Sequence, residues 1–129
     1  MFDIGNRICV LCVDLRKGRP SVIYEIRVYE AADGKAEAMR DRFITVVASK
    51  FFPRHGVELL GAFVSQTEDG RLTYMTRFEN EETRKKAWDA FAADPEWAKV
   101  KAESETGGPL LKSQSISVLS PAISGLVLD

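Results

Sequence analysis

Apolar and polar residues alternate with a period of two in four stretches of the chain, which is the pattern of a half-buried β-strand. The stretches are Val22 to Tyr29, Glu58 to Thr67, Leu72 to Phe78, and Ser113 to Val118. Asp69-Gly70 lies between the second and the third, and this dipeptide favours a tight hairpin turn. We therefore predict four strands, of which the middle two form a hairpin.

Apolar residues recur at helical spacing between the first and second strands. They predict an amphipathic helix from about Lys35 to Phe52, which Pro53 and Gly56 end. Its apolar stripe consists of Met39, Phe43, Val46, Val47 and Phe51.

A second helical region follows the hairpin. Asn80 is a favourable helix N-cap, and the apolar residues after it at helical spacing are Ala87, Trp88 and Phe91. Asp94-Pro95 restarts the pattern, because Asp caps a helix and Pro is tolerated at its first position. We predict a short third helix there, which ends before Gly107-Gly108-Pro109.

The order of elements is βαββαβ, with a further apolar run in front and a small helix before the last strand. This order predicts an α+β fold of the ferredoxin-like kind, with an antiparallel sheet. At 129 residues the chain matches one domain. We divide it into residues 1–20, an extension with a predicted extra strand, residues 21–121, the working domain, and residues 122–129, a tail.

Charge and cysteine content exclude several classes of protein. The chain has 18 Lys and Arg against 19 Asp and Glu, interspersed along its length, so no basic patch indicates nucleic-acid binding. The apolar run from Ile8 to Val13 is too short for a membrane span or a signal peptide. Cys9 and Cys12 are too close to form a long-loop disulfide, and no second Cys or His pair completes a metal site. We expect a cytoplasmic protein with no metal.

Helices can cover only one face of such a sheet, so the other face meets water or a partner. We expect apolar residues on the covered face and the more polar set on the uncovered face. That set is Glu25, Arg27, Tyr29, Met75, Arg77, Ser115 and Ser117. It could line a pocket, or it could form a solvated face with charged pairs across strands.

His55 is the single histidine, which excludes sites that need several. It could act as a general base, or it could cap the last carbonyls of the preceding helix. Trp88 and Trp97 are interpreted as core or dimer contacts. Signatures of an activated serine or of a phosphate-binding glycine loop are absent from the sequence.

Four segments, in order, carry a family resemblance: Ile23 to Tyr29, Phe51 to Gly56, Thr73 to Phe78, and Asp94 to Trp97. Together they resemble a NIPSNAP domain, which belongs to the dimeric α/β barrels. The resemblance implies a homodimer whose two sheets pack face to face, with the polar set lining a lumen in each subunit. It implies no catalytic residues and no cofactor.

Three functions stay open. The leading hypothesis is a homodimer that binds a small organic molecule in the lumen, with Arg27 and Arg77 as anion anchors and Glu25 and Tyr29 as orienting groups. The second is a cofactor-free oxygenase or isomerase acting on a carbonyl compound, with His55 or Glu25 as the base. The third is a protein-interaction module that docks a partner through residues 1–20.

Overall fold

The computed structural model describes residues 22–123. The strands are β1 (Ile23–Ala31), β2 (Glu58–Val64), β3 (Arg71–Phe78) and β4 (Leu111–Leu119). A helical segment between β1 and β2 consists of α1 (Ala36–Arg42), a π-helical stretch (Phe43–Phe51) and α2 (Phe52–Arg54). Two helices, α3 (Glu81–Ala92) and α4 (Pro95–Ser104), connect β3 to β4.

The strands form one sheet in the order β2-β3-β1-β4, and every neighbouring pair is antiparallel. Gly70 makes the turn between β2 and β3 with a φ of 90°, a conformation that glycine adopts without strain. The ferredoxin-like α+β fold predicted from the order of elements is confirmed.

The helical segment after β1 is not the single α-helix that the apolar spacing predicts. From Phe43 to Phe51 it is π-helical, and the N–H of Phe52 donates to the carbonyl of Val47, five residues earlier. Four of its buried residues recur every four positions: Met39, Phe43, Val47 and Phe51. In an α-helix, which has 3.6 residues per turn, residues at this spacing move gradually away from one face. The wider turn therefore helps to keep all four directed at the sheet.

The predicted helix starts of the second helical region match the structure. The side chain of Asn80 accepts a hydrogen bond from the N–H of Thr83 at 2.8 Å, and Asp94 accepts one from the N–H of Glu96 at 2.9 Å. Pro95 is the first residue of α4. These caps satisfy N–H groups that have no partner within the helix.

The core lies between the helices and one face of the sheet. Apolar side chains of β1, β3 and the chain just before β4 pack against α1, the π-helical stretch, α2 and α3; the buried members are Ile23, Met39, Phe43, Val47, Phe52, Val57, Leu72, Tyr74, Phe78, Ala87 and Leu110. Much of the packing is aromatic and edge-on: the rings of Phe43 and Phe52 are 5.8 Å apart at 79°.

The prediction that the polar set shares the uncovered face is wrong for β1. Register pairs Glu25 with Thr76 and Tyr29 with Leu72, both buried, and places the even-numbered residues of β1 opposite Met75 and Arg77. Glu25, Arg27 and Tyr29 therefore point toward the helices. The alternation of apolar and polar residues gave the wrong face for β1, because ion pairs and hydrogen bonds allow charged residues of a strand to be buried in a core.

Several sequence predictions fall outside the described residues. They are the extra N-terminal strand, the interpretation of Cys9 and Cys12, and the course of the tail after residue 123. Within residues 22–123, no helix is long and apolar enough to cross a membrane.

Candidate functional site

A cavity of about 540 Å³ lies between the sheet and the helices. Strands β1 and β4 form its floor, and α1, the π-helical stretch, α3 and α4 form its walls. The lining residues are Arg27, Tyr29, Met39, Arg42, Phe43, Val47, Trp88, Asp89, Phe91, Ala92, Trp97, Lys101, Glu105, Pro109, Leu111 and Gln114. The lining combines aromatic and apolar side chains with charged and polar ones, a mixture that suits a small-molecule site.

Beside the cavity lies a buried carboxylate, that of Glu25, which is 0% exposed. One of its oxygens accepts hydrogen bonds from Arg84 at 2.7 Å and from the indole N–H of Trp88 at 2.9 Å, and the other is paired with Arg27. Both oxygens are thus occupied by donors, which makes burial of the charge tolerable.

Arg27 extends from this pair into the cavity. Its guanidinium lies over the Trp88 ring, 3.9 Å from the ring centroid, and one of its nitrogens donates to the side-chain oxygen of Gln114 at 3.4 Å. Stacking on Trp88 and pairing with Glu25 fix the guanidinium at one wall of the cavity.

A second ion pair forms another part of the wall. Arg42 donates to Glu105 at 2.8 Å and to the hydroxyl of Ser104 at 3.0 Å, and its guanidinium lies 5.2 Å from the Trp97 ring centroid. Burial alone would raise the pKa of Glu105, but hydrogen bonds from Arg42 and Lys101 lower it on balance. Glu105 is therefore ionised at neutral pH and balances Arg42.

Two tyrosine hydroxyls meet at the floor of the cavity. The hydroxyl oxygens of Tyr29 and Tyr74 are 2.8 Å apart. Tyr29 lines the cavity, whereas Tyr74 lies beneath it and is 0% exposed. Burial raises the pKa of both hydroxyls, so both stay protonated at neutral pH.

The seven residues predicted from the polar set are divided between the two faces of the sheet. Arg27 and Tyr29 line the cavity on the helix side, with Glu25 beside them. The other four lie on the opposite face of the sheet: Met75, Arg77, Ser115 and Ser117. The even-numbered residues of β1, among them Ile26 and Val28, share that face. Arg77 pairs there with Glu58 at 2.6 Å.

His55 lies at the end of α2 and is not among the residues that line the cavity. Its Nε2 is 2.7 Å from the carboxylate of Asp94, which also accepts from Arg54 at 2.9 Å. Hydrogen bonds from His55 and Arg54 lower the pKa of Asp94 to about 2. Since that carboxylate only accepts, Nε2 of His55 is the donor. The imidazole thus joins α2 to the start of α4.

Sequence reasoning missed five functional candidates: Arg42, Tyr74, Arg84, Glu105 and Gln114. It also interpreted Trp88 and Trp97, which line the cavity, only as core or dimer contacts. Gln114 had a signal, because it alternates with Ser113 and Ser115 and so lies on the opposite face from them. Arg42, Arg84 and Glu105 are charged residues on helices, and such residues usually face water. The contacts that bring them to the site, Arg42 with Glu105 and Arg84 with Glu25, join different elements, so their spacing in the sequence gives no sign of these contacts.

Comparisons with known proteins agree on one family. The family model described as NIPSNAP matches residues 24–124. A NIPSNAP-like domain protein from Burkholderia xenovorans, described as uncharacterized, is 21% identical with a TM-score of 0.70, over 85% of this chain and 93% of that chain. A NIPSNAP family protein of unknown function from Agrobacterium tumefaciens is 20% identical with a TM-score of 0.67, over 82% and 93%.

A more distant structure is similar in fold. SnoaB, a cofactor-independent oxygenase from Streptomyces nogalater, is 12% identical with a TM-score of 0.55, over 81% of this chain and 97% of that chain. No curated protein matches. The solved structures support the fold, and the family model covers most of the chain, so the chain belongs to the NIPSNAP family.

Proposed function

We propose that this protein binds a small organic molecule in the cavity between the sheet and the helices. The observation that carries the proposal is the cavity itself, with its volume of about 540 Å³ and its mixed aromatic and polar lining. The proposed site is on the helix side of the sheet, not in a lumen between two sheets, because Arg27 and Tyr29 both point to the helix side.

The charges of the lining favour a ligand that is close to neutral. Arg27 is paired with Glu25, and Arg42 is paired with Glu105. A strongly anionic ligand would compete with these carboxylates, which already neutralise the two guanidiniums. The aromatic rings of Trp88, Trp97 and Phe91 favour an apolar body.

Native mass spectrometry of freshly purified protein tests the proposal, since it reports a retained molecule directly. Leu111→Trp fills the cavity, where Leu111 is a lining residue, and we expect it to abolish the extra mass. Val118→Trp is the matched control, because Val118 is on the same strand and the same side of the sheet but is 45% exposed and outside the lining. Equal retention by both variants would contradict the proposed site.

We propose in addition that the protein is a homodimer joined through the sheet face opposite the helices. On that face Ile26 of β1 lies opposite Met75, and Phe63 of β2 is 62% exposed. An apolar strand face turned away from the core is favourable when a second surface covers it.

Sedimentation velocity tests the dimer. Met75→Lys puts a charge at the centre of the proposed contact and should yield a folded monomer. Ala38→Lys, on the exposed side of α1, should remain a dimer. A wild-type protein that sediments as a monomer would exclude this contact.

A second candidate function is that of a cofactor-independent oxygenase, which is the activity of SnoaB. The similarity of fold to SnoaB favours it, as does a cavity with a tyrosine hydroxyl on its floor. Oxygen uptake with a panel of aromatic carbonyl compounds would test it. His55→Ala and Glu25→Gln identify or exclude the two predicted bases: full turnover by both variants would exclude them.

Two further expectations remain proposals. A cytoplasmic location follows from the reduced state expected of Cys9 and Cys12, and cell fractionation would test it. Docking of another protein through the N-terminal extension is tested by deleting residues 1–19. The deletion should leave retention of the ligand intact and remove any bound partner.

A further inference from the structure

The number of protons on Tyr29 and Tyr74 determines which hydroxyl donates in the hydrogen bond between them. Each tyrosine hydroxyl carries one proton to donate, and its oxygen can also accept. Both hydroxyls stay protonated at neutral pH because burial raises the pKa of each. The pair therefore has two protons, and only one of them can lie between the two oxygens.

Tyr74 is the donor within the pair. Its side chain is 0% exposed and cannot reach the cavity. Within residues 22–123, its hydroxyl has one hydrogen-bond partner, the hydroxyl of Tyr29, at 2.8 Å. A buried hydroxyl that donated to nothing would lose the free energy of a hydrogen bond, so the proton of Tyr74 goes to the oxygen of Tyr29.

The proton of Tyr29 is then left to point away from Tyr74. Tyr29 lines the cavity, and in the described part of the chain its hydroxyl also has no acceptor besides Tyr74. Edge-on packing against Phe43, 6.3 Å between centroids, and against Tyr74, 5.3 Å, holds the ring in place. A fixed O–H group is thus available to whatever occupies the cavity.

We infer that Tyr29 selects ligands that bear a carbonyl group on an aromatic body, by donating its proton to the carbonyl oxygen, and that Tyr74 is the positioning residue that sets this direction. The inference rests on the proposed binding function. Trp88 and Trp97 supply flat apolar walls for the aromatic body.

The surroundings disfavour the other classes of polar ligand. An amine would approach a Tyr29 oxygen that already accepts from Tyr74, and the nearby carboxylates of Glu25 and Glu105 are already paired with Arg27 and Arg42. A phosphate would compete with Glu25 and Glu105 for those guanidiniums. A carbonyl oxygen needs only the one donor that the pair leaves available.

The test compares two probes of the same shape, 2-acetylnaphthalene and 2-ethylnaphthalene, which differ in the carbonyl oxygen. We expect wild-type protein to bind the acetyl compound about fivefold more tightly by equilibrium dialysis, the effect of one net hydrogen bond. In Tyr29→Phe this preference should vanish while the ethyl compound binds unchanged. Infrared difference spectra should show the bound carbonyl band at lower wavenumber in wild type than in Tyr29→Phe.

Two more variants separate a positioning role of Tyr74 from a general loss of structure. Tyr74→Phe keeps the ring but removes the donor, so the preference should fall and the bound carbonyl band should broaden. Tyr24→Phe is the matched control, because Tyr24 lies on the opposite face of the sheet, and it should behave as wild type. Equal binding of both probes to wild type, or a preference that survives in Tyr29→Phe, would overturn the inference and leave the binding site standing. Failure of wild type to bind either probe would also overturn the inference. If, in addition, native mass spectra of the purified protein show no bound small molecule, the proposed function is overturned as well.

Discussion

At the scale of the residue, Glu25 determines how the site is held. Its carboxylate is fully buried and receives donors from β1 and from α3, so it joins the floor of the cavity to one of its walls. The free energy of such a group depends on its partners, because an unpaired buried charge is far more costly than a paired one.

Glu25→Ala should therefore lower the free energy of unfolding by about 3–5 kcal/mol, since it leaves Arg27 and Arg84 without their buried partner. Glu81→Ala is the control. Glu81 also pairs with Arg84, at 2.9 Å, but it is 62% exposed and screened by water, so its loss should cost much less than the loss of Glu25. Urea denaturation measures both, and a similar loss for the two variants would contradict the role given to Glu25.

Asp94 should make stability depend on acid pH. Its pKa in the folded protein is about 2, below the ordinary value of 3.8, because His55 and Arg54 donate to its ionised form. A pKa that is lowered on folding adds stability above the ordinary value, and this stability is lost as the pH falls from about 3.8 toward 2.

Asp94→Asn isolates this effect, because Asn is an equally good N-cap but carries no charge. We expect the variant to be less stable than wild type at pH values above the ordinary pKa of Asp94. The two stabilities should converge as the pH falls below it. Thermal melts across that range measure the difference, and a difference that does not change with pH would show that the ion pair contributes nothing.

At the scale of the element, the β2–β3 hairpin depends on one glycine. Gly70 has a φ of 90°, and a Cβ added there would lie 3.4 Å from the Cβ of Ala31. Gly70→Ala should lower the free energy of unfolding by about 1–3 kcal/mol because of the strained backbone. Gly107→Ala is the control, since an added Cβ there meets only the end of the Lys35 side chain. Equal losses in chemical denaturation would contradict the assignment of strain to Gly70.

The geometry of the π-helical stretch depends on its contacts with other elements. Residues 35–52 have helical apolar spacing, so the existence of a helix is predictable from the sequence. The wider turn was not predicted, because the cost of i→i+5 pairing is offset by contacts of Phe43, Val47 and Phe51 with other parts of the fold.

At the scale of the whole molecule, ligand binding and folding should be linked. The cavity is formed by strands and helices that are far apart in the sequence, so only the folded protein presents it. A ligand at a hundred times its Kd should therefore raise the free energy of unfolding by about 2.7 kcal/mol. Differential scanning calorimetry with the retained molecule measures this, and Leu111→Trp should show no such rise. A melting temperature that the molecule does not change would contradict binding to the folded state.

Local signals in the sequence determined the fold. Asn80, Asp94-Pro95 and Asp69-Gly70 act through contacts within a few residues, and alternation of apolar residues reports strands directly, so the order of elements and the ferredoxin-like plan were predictable. The segments that resemble NIPSNAP domains likewise lie in the sequence itself.

Only the tertiary structure decided which face of the sheet meets the helices. The alternation in β1 gives two sets of residues but not their direction, and the apolar set proved to face away from the helices. Glu25 is buried because Arg84 and Trp88 reach it from α3, some sixty residues later in the chain. Such long-range pairs overrule the polarity of a single strand, and they placed the candidate site on the helix side of the sheet.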